Sequence, residues 1–245
     1  MTIINRGHAF VYLKSEKTAG TAVEAHLLTR TPLGGDIWHT APNIHKYDLS
    51  RRRRSLVVGN LGGTLLTVRE FGPLRRFGPF QSILEHHAAA SLAPLLGAFW
   101  DRAIKATSVR NPWDIMVSAW QWRRDGKGNS PPLTASFEEW STACMSGDAE
   151  RQDRVHGYDA KDLMYPYVFI DGRPAVDVLI RQESIDEGLG ELGKRLGVTL
   201  PPLTIRENRS CRRKDYRGYY TDKLADSVGR HFAEIISLCG YGFDP

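Results

Sequence analysis

Cysteine is scarce in this sequence, and so are the features of secreted, zinc-binding or membrane proteins. The three cysteines, Cys144, Cys211 and Cys239, form no CxxC pair and have no histidine pair nearby, which argues against a disulfide framework or a zinc site. No apolar run approaches the roughly 18–20 residues that span a bilayer. The apolar N-terminus breaks off at Lys14, too early for a secretory signal. We therefore expect a soluble, cytoplasmic protein from a reducing compartment, without an integral membrane segment.

Low-complexity tracts and fixed-period repeats are also absent. The chain has 245 residues, of which 41% are hydrophobic and 25% charged, as in one large globular domain. The stretch 197–203 contains two prolines and resembles a linker, but too little chain follows it to build a second core. We expect a single domain over 1–245.

Positive charge is concentrated in two segments. Net charge is +5, and residues 205–217 hold six basic and two acidic residues, while 51–54 is a run of four arginines. Hydrogen-bond donors alternate with the arginines of 205–217, which favours an anionic ligand there; for 51–54 a solvated surface is an equal alternative. Nucleic acid is the rival partner, but no helix-turn-helix, zinc finger or aromatic RNA-binding motif accompanies the charge. We expect no nucleic-acid partner.

Strand and helix patterns alternate along the chain. An apolar strand at 9–13 precedes a helix from Thr21, on which Glu24 and His26 fall away from the apolar side. The other expected elements are a helix at 88–100 interrupted or started near Pro94, a strand at 103–109, helices at 111–124, 136–145 and 220–239, and a hairpin over 167–180 turning at Gly172. The region 31–85 is rich in Gly, Pro and Arg and is expected to be irregular. Strand–loop–helix repetition predicts an α/β fold with a central, mostly parallel sheet flanked by helices.

Two helix starts carry capping signals. Asn111 is the expected N-cap of helix 111–124, with Pro112 at the first position and Asp114 three residues after the cap. In the helix at 136–145, Ser136 and Glu139 occupy the same reciprocal positions.

The sequence KTAGT, residues 17–21, lies between the first strand and its helix. A helix start can bind an anion through unpaired N–H groups; Gly20 allows close approach, Thr18 and Thr21 add hydroxyls, and Lys17 adds a charge. A nucleoside triphosphate loop requires G-x-x-x-x-G-K-[ST], which is absent, and no site for the magnesium of ATP or GTP hydrolysis is evident. A plain surface turn is the alternative.

A second segment, KATSVRNPWDIMVSAWQW (105–122), places Arg110 at the end of a strand and Ser118 eight residues later in a helix. Together with KTAGT it resembles the two cofactor motifs of sulfotransferases that use 3′-phosphoadenosine 5′-phosphosulfate (PAPS). In that family the K-T-x-G-T loop holds the 5′-phosphosulfate, and the Arg and Ser of V-R-[ND]-P-x-(x)5-S-x-[WY] hold the 3′-phosphate. The resemblance implies a P-loop-containing nucleotide-hydrolase-like three-layer fold.

The resemblance covers most of the chain except about 31–82. It includes VDVLIRQESIDEGLGELGKRLGV and the ending YYTDKLADSVGRHFAEIISLCGYGFD, and it is closest to the carbohydrate-type branch, particularly soluble bacterial members. One departure is Glu16, because many relatives have proline before the loop lysine. Its carboxylate would repel an anion unless it points to solvent or pairs with Lys14.

The resemblance implies roles for individual residues. Lys17, with the backbone of Thr18, Ala19, Gly20 and Thr21, would stabilise charge on the leaving phosphate. Arg110 and Ser118 would hold the 3′-phosphate. The alternatives are a lysine that merely flanks a turn, an ion pair of Arg110 with Asp114, and a serine bonded back to its own helix.

The acceptor hydroxyl needs a base, and LEHHAAASL supplies candidates. The spacing to Ala90 favours His87 over His86 by analogy with related carbohydrate enzymes, and a neutral imidazole suits the role at pH 7. Glu85 is a further candidate.

Other residues could complete the site. Arg209, Arg212 and Arg213 are expected to cover the nucleotide; Arg181 and Glu183 either order this side of the site or form a buried structural pair. Core packing is the first interpretation of Trp113, Trp120 and Trp122, and stacking on a ligand the second.

The sequence therefore predicts a metal-independent PAPS sulfotransferase that acts on a hydroxyl of a sugar or glycan and releases adenosine 3′,5′-bisphosphate. The segments 31–85 and 125–165 would be variable and face the substrate. The alternatives are a P-loop small-molecule kinase and a non-enzymatic polyanion-binding module.

Overall fold

The computed structural model describes residues 2–5, 7–31, 37–40, 56–61, 64–67, 87–126, 133–204 and 215–244. The chain divides into two compact units. We call Met1–Val109 with Pro166–Glu207 the sheet unit, and Arg110–Tyr165 with Asn208–Pro245 the helical unit. The single domain expected over 1–245 stays a prediction.

The main sheet of the described chain has seven strands in the order β5-β4-β3-β1-β2-β6-β9, and β7 with β8 forms a separate hairpin. The strands are β1 (Ile3–Asn5), β2 (Phe10–Leu13), β3 (Ile37–Thr40), β4 (Leu56–Leu61), β5 (Thr64–Thr67), β6 (Ile104–Val109), β7 (Phe169–Ile170), β8 (Arg173–Pro174) and β9 (Val178–Arg181). The helices are α1 (Gly20–Thr29), α2 (Ala89–Leu96), α3 (Ala98–Arg102), α4 (Pro112–Arg124), α5 (Phe137–Cys144), α6 (Ala149–Arg154), α7 (Tyr165–Val168), α8 (Ile185–Leu196), α9 (Asp222–His231) and α10 (Ala233–Cys239).

The predicted mostly parallel sheet is confirmed. Strands β2, β6 and β9 are parallel neighbours, and β3 is parallel to β4. Strand β1 is antiparallel to both β2 and β3, and β5 is antiparallel to β4. Thus β2, β3, β4, β6 and β9 run one way, and only β1 and β5 run the other. The expectation that 31–85 is irregular was wrong, because β3, β4 and β5 lie within it.

Helices cover both faces of the sheet in the sheet unit. Side chains alternate along a strand, so Phe10 and Tyr12 of β2 pack on one face with α1 and α8, while Val11 and Leu13 pack on the other with α2 and α3. Both faces of β2 are therefore buried, which explains its continuous apolar run. The predicted three-layer α/β architecture is confirmed.

Two polar residues of α1 do not lie where the sequence predicts. Glu24 and His26 were expected to lie away from the core, but both are fully buried, as are all residues from Ala22 to Leu28. The His26 ring makes a 2.9 Å hydrogen bond from Nε2 to the carbonyl of Pro201. Because α1 is covered on all sides, it does not have the exposed polar face of an amphipathic helix.

The hairpin near Gly172 is confirmed, but it is shorter than predicted. Asp171 and Gly172 have φ of 48° and 73°, as a tight two-residue turn between antiparallel strands requires. The return arm is only Arg173–Pro174. The residues after it enter the main sheet as β9.

In the helical unit, the capping signals predicted both helix starts. Asn111 accepts a 3.0 Å hydrogen bond from the N–H of Trp113, with Pro112 at the first position of α4. Ser136 accepts from the N–H of Glu139 at the start of α5.

The helix expected over 220–239 is interrupted. It forms α9 and α10, which meet at Phe232 with φ −107° and ψ 22°. Leu224, Val228, Phe232 and Ile235 are buried and keep helical spacing across the interruption. The apolar pattern therefore does not reveal it. None of the helices in the described ranges is long and apolar enough to cross a membrane.

Candidate functional site

The turn between β2 and α1, residues 14–19, has an unusual backbone. Lys17 and Ala19 have φ of 59° and 60°, the left-handed region that residues with a side chain rarely adopt. Each such residue costs about 1–3 kcal/mol, and such residues cluster at functional sites. Ala19 is the N-cap of α1, and no side chain caps the helix. We call residues 14–19 the 14–19 loop.

The start of α1 presents a row of backbone donors. The N–H groups of Ala22 and Val23 bond the carbonyl of Ala19, at 2.9 and 3.1 Å. Those of the four residues 18–21 donate to no residue that the structure describes. Unpaired N–H groups together with the helix dipole form a site for an anion.

Gly20 is enclosed by the loop. A Cβ atom at this position would lie 2.8 Å from Cγ of Lys14, 3.1 Å from the carbonyl oxygen of Ser15 and 3.5 Å from the hydroxyl of Tyr12. The glycine predicted to allow close approach is therefore also needed for the chain to pack beneath the loop.

A buried network of hydroxyls supports the loop from the sheet. Ser15 Oγ lies 2.8 Å from Thr18 Oγ1 and donates to the carbonyl of Ser108, while Tyr12 and Ser108 share a 2.7 Å hydrogen bond through their hydroxyls. Burial raises the pKa of Tyr12 well above its usual value. The register pairs Leu13 with Thr107, so the loop after β2 lies beside the carboxyl end of β6.

This network changes the expected roles of the two threonines. Thr18 is fully buried and its hydroxyl bonds Ser15, so this hydroxyl supports the loop. Thr21 is partly exposed, and its hydroxyl makes no hydrogen bond to any described residue. Sequence reasoning missed Tyr12, Ser15 and Ser108; the available signal was polar residues at the ends of two buried strands.

Four charged side chains lie in or next to the loop. Lys14 and Glu24 form a buried ion pair with 3.4 Å between Nζ and Oε2. Lys17 and Glu16 are both partly exposed. Glu16 makes no hydrogen bond or ion pair with any described residue. Of the two arrangements considered for Glu16, pairing with Lys14 is therefore not the one adopted.

In the helical unit, Arg110 is oriented by the helix that follows it. Its Nε and Nη2 atoms lie 2.8 and 2.6 Å from Oδ2 of Asp114, and the two side chains are 11% and 14% exposed. The ion pair considered as an alternative is therefore present. A guanidinium has five N–H donors, and this pair uses two of them.

Ser118 lies one turn beyond Asp114. Between Pro112 and Gln121 every residue is buried except these two, which are partly exposed. The Ser118 hydroxyl bonds no described residue, including the carbonyls of its own helix. The back-bonded serine considered as an alternative is not present.

His87 lies two residues before α2 and is buried, with 5% exposure. Burial lowers its pKa below the ordinary value of 6.5, although a hydrogen bond with the backbone of Ser91 opposes the shift. The imidazole is therefore neutral at pH 7. The other base candidates, His86 and Glu85, lie outside the described residues, as do Arg209, Arg212, Arg213 and the arginines 51–54.

Two of the remaining expectations can be compared with the structure. Trp113 and Trp120 are buried and donate to the carbonyls of Ala225 and Ala135, which confirms core packing. Arg181 is exposed and contacts Glu187 at 3.4 Å, so the alternative of a buried structural pair was wrong. Within the described residues, no three His, Cys, Asp or Glu side chains are grouped to hold a metal ion.

No protein-family model matches this chain, and no curated protein matches it. Two solved structures are similar. A sulfotransferase from Alicyclobacillus acidocaldarius is 18% identical, with a TM-score of 0.46, over 94% of this chain and 95% of that one. Mouse sulfotransferase SULT7A1 complexed with PAP is 15% identical, with a TM-score of 0.49, over 92% of this chain and 82% of that one. Both belong to the class that the two motifs resemble, but similarity at this level does not by itself establish a shared function.

Proposed function

We propose that this chain is a PAPS-dependent sulfotransferase that transfers a sulfuryl group to a hydroxyl of a sugar or glycan. The observation that carries the proposal is the row of N–H groups at residues 18–21, which have no described acceptor and stand beside Lys17 at a helix start. Such an arrangement binds a dianionic or polyanionic group without a metal. The motif resemblance identifies that group as the 5′-phosphosulfate.

The chemistry follows from where charge develops. The acceptor oxygen forms a bond to sulfur while the bond between sulfur and the bridging phosphate oxygen breaks, so negative charge grows on the leaving phosphate. Lys17 and the backbone N–H groups stabilise that charge more strongly in the transition state than in the ground state. The second product is adenosine 3′,5′-bisphosphate.

His87 is the proposed general base. Because its pKa is lowered by burial, the ring is neutral at pH 7 and able to accept the proton of the acceptor hydroxyl. Its burial also means that the acceptor must reach a group shielded from bulk water. His86 and Glu85 remain the alternative bases.

Arg110 and Ser118 are the proposed ligands of the 3′-phosphate. Asp114 holds the guanidinium of Arg110 through two of its N–H groups. The Ser118 hydroxyl, one turn further along α4, has no described partner. A fixed guanidinium and a hydroxyl donor suit a phosphate. The nucleotide would be covered by the segment that contains Arg209, Arg212 and Arg213.

The sugar acceptor and the cytoplasmic location are finer parts of the proposal. The carbohydrate-type branch is the one the motifs resemble most closely, and the segments 31–85 and 125–165 are proposed to select the acceptor. Cys144 is a free thiol, in keeping with a reducing compartment.

Calorimetry with adenosine 3′,5′-bisphosphate and ADP tests the proposal. The bisphosphate should bind at least ~100-fold more tightly than ADP, because a charge-assisted phosphate site contributes about 1.5–3 kcal/mol per hydrogen bond. Arg110→Ala should abolish the preference. Arg195→Ala is the matched control, because Arg195 forms an exposed i,i+4 pair with Glu191 on α8, and it should leave both affinities unchanged.

Three results would contradict the proposal. Equal affinity for the two nucleotides would remove the 3′-phosphate site. Magnesium-dependent turnover of ATP would indicate a kinase. Steep loss of affinity with salt, without preference for a 3′-phosphate, would indicate a general polyanion-binding module. With the bisphosphate preference established, transfer of labelled sulfuryl groups from PAPS to a panel of sugars identifies the acceptor.

A further inference from the structure

A buried ion pair lies under the 14–19 loop. Lys14 is the first residue after β2, and Glu24 is the fifth residue of α1; their side chains are 8% and 0% exposed. Burying a charge beside an opposite charge is far less unfavourable than burying it alone, and the two groups lie 3.4 Å apart. The pair therefore joins the first residue of the loop to the fifth residue of α1.

The ion pair lies next to the residues at the start of α1 that would bind an anion. The stem of Lys14 is the nearest neighbour of a Cβ at Gly20, at 2.8 Å, and the charge of Glu24 contributes to the raised pKa of Tyr12. Lys14 thus adjoins the glycine at the helix start, and Glu24 acts on Tyr12 of the hydroxyl network that bonds Ser15.

The conformation of the loop needs such support. Left-handed backbone at two residues with side chains persists only where the surroundings over-determine it, and here Lys17 and Ala19 both adopt it. The hydroxyl network holds Ser15 and Thr18 from the sheet. The ion pair ties the first residue of the loop to α1, the helix that follows it.

We propose that Lys14 and Glu24 are positioning residues for the donor: their ion pair keeps the N–H groups of residues 18–21 directed at one point. The inference rests on the proposed function for the identity of the anion, but the geometry of the loop is measurable without a nucleotide. Neither side chain contacts the ligand in this role. Lys17 supplies a positive charge at the rim of the loop.

The test compares Lys14→Met with the double variant Lys14→Met/Glu24→Leu. Lys14→Met removes the ammonium group beside the buried Glu24 carboxylate and should lower Tm and weaken adenosine 3′,5′-bisphosphate binding by at least ~10-fold, since small misplacements of a binding group have effects of this size. The double variant replaces the pair with apolar side chains and should recover Tm. It should not recover the affinity for the bisphosphate, because contacts between apolar side chains do not fix the orientation of the loop.

Lys105→Met is the matched control. Lys105 forms a partly buried ion pair with Asp177 near the start of β6, at 3.1 Å, away from the loop along the same sheet. It should lower Tm without changing the affinity for the bisphosphate. The backbone amide resonances of residues 18–21, recorded without ligand, should move in Lys14→Met and in the double variant but not in the control.

The outcomes separate this inference from the proposed function. A double variant with wild-type amide resonances and wild-type affinity would show that the pair only stabilises the fold, and the inference would be wrong. A wild-type protein that does not bind the bisphosphate would contradict the proposed function. The amide resonances would then still decide whether the pair positions the loop.

Discussion

Gly20→Ala is the substitution whose effect the structure defines most closely. The added methyl group would stand 2.8 Å from Cγ of Lys14 and 3.1 Å from the carbonyl oxygen of Ser15. Real Cβ atoms do not approach a carbon so closely, so the loop must shift. Overpacking of this kind costs about 1–3 kcal/mol, against a gain of about 0.4–1 kcal/mol from restricting the unfolded chain. We expect a net loss of about 1–2 kcal/mol.

For a chain of this length, a net loss of that size lowers Tm by about 2–8 °C. Thermal denaturation measures it, and calorimetry with adenosine 3′,5′-bisphosphate measures the accompanying loss of affinity. Gly190→Ala is the control, because Gly190 lies in α8 with nothing within 4 Å of a Cβ. That variant should be more stable than the wild type by about 0.5–1 kcal/mol. If Gly20→Ala behaves like Gly190→Ala and binds the nucleotide normally, the enclosure of Gly20 is not a constraint.

Two further predictions concern charge. Asp114→Asn should weaken binding of adenosine 3′,5′-bisphosphate about 3- to 10-fold, because a charge-assisted bond that orients Arg110 becomes a neutral one; tighter binding in calorimetry would mean that Asp114 competes with the phosphate instead. Stability should fall as pH drops below 6.5, because burial lowers the pKa of His26, His87 and His231 in the folded protein. The unfolded chain then binds more protons, and each histidine contributes a slope of up to about 1.4 kcal/mol per pH unit until the folded pKa is reached. Chemical denaturation between pH 7.5 and 5.5 measures the slope, which His26→Gln should reduce; a flat profile for the wild type contradicts the prediction.

The elements with local signals were predictable from the sequence. The apolar run of β2 and the caps of α4 and α5 depend on residues within a few positions of one another, so the chain itself carries the information. The strands in 31–85 were missed because Gly, Pro and Arg obscure their pattern, and because the pairing of β3 with β1 depends on the tertiary structure. The burial of Glu24 was missed for a similar reason: its partner Lys14 is ten residues away, and nothing in a helical pattern distinguishes a buried acid from a solvated one.

The candidate site was predictable to the level of its motifs. Lys17, Gly20, Arg110 and Ser118 were identified because their spacing matches two known loops. The supporting residues were not, because the hydroxyls of Tyr12 and Ser108 meet only when β2 and β6 pair. Which groups face a ligand also depends on the fold: Thr18 has the same side chain as Thr21, yet one is bonded inside the loop and the other is not.

The complete enclosure of α1 has a consequence for how a ligand would be recognised. A helix with neighbours on every side cannot tilt or slide without opening the core, so the donors at its start are immobilised when the chain folds. The conformational entropy of that segment is then lost during folding, so the binding of an anion does not carry this entropic cost. An anion should therefore bind to a preformed site at this end of the sheet. Any conformational change on binding should occur in other parts of the chain.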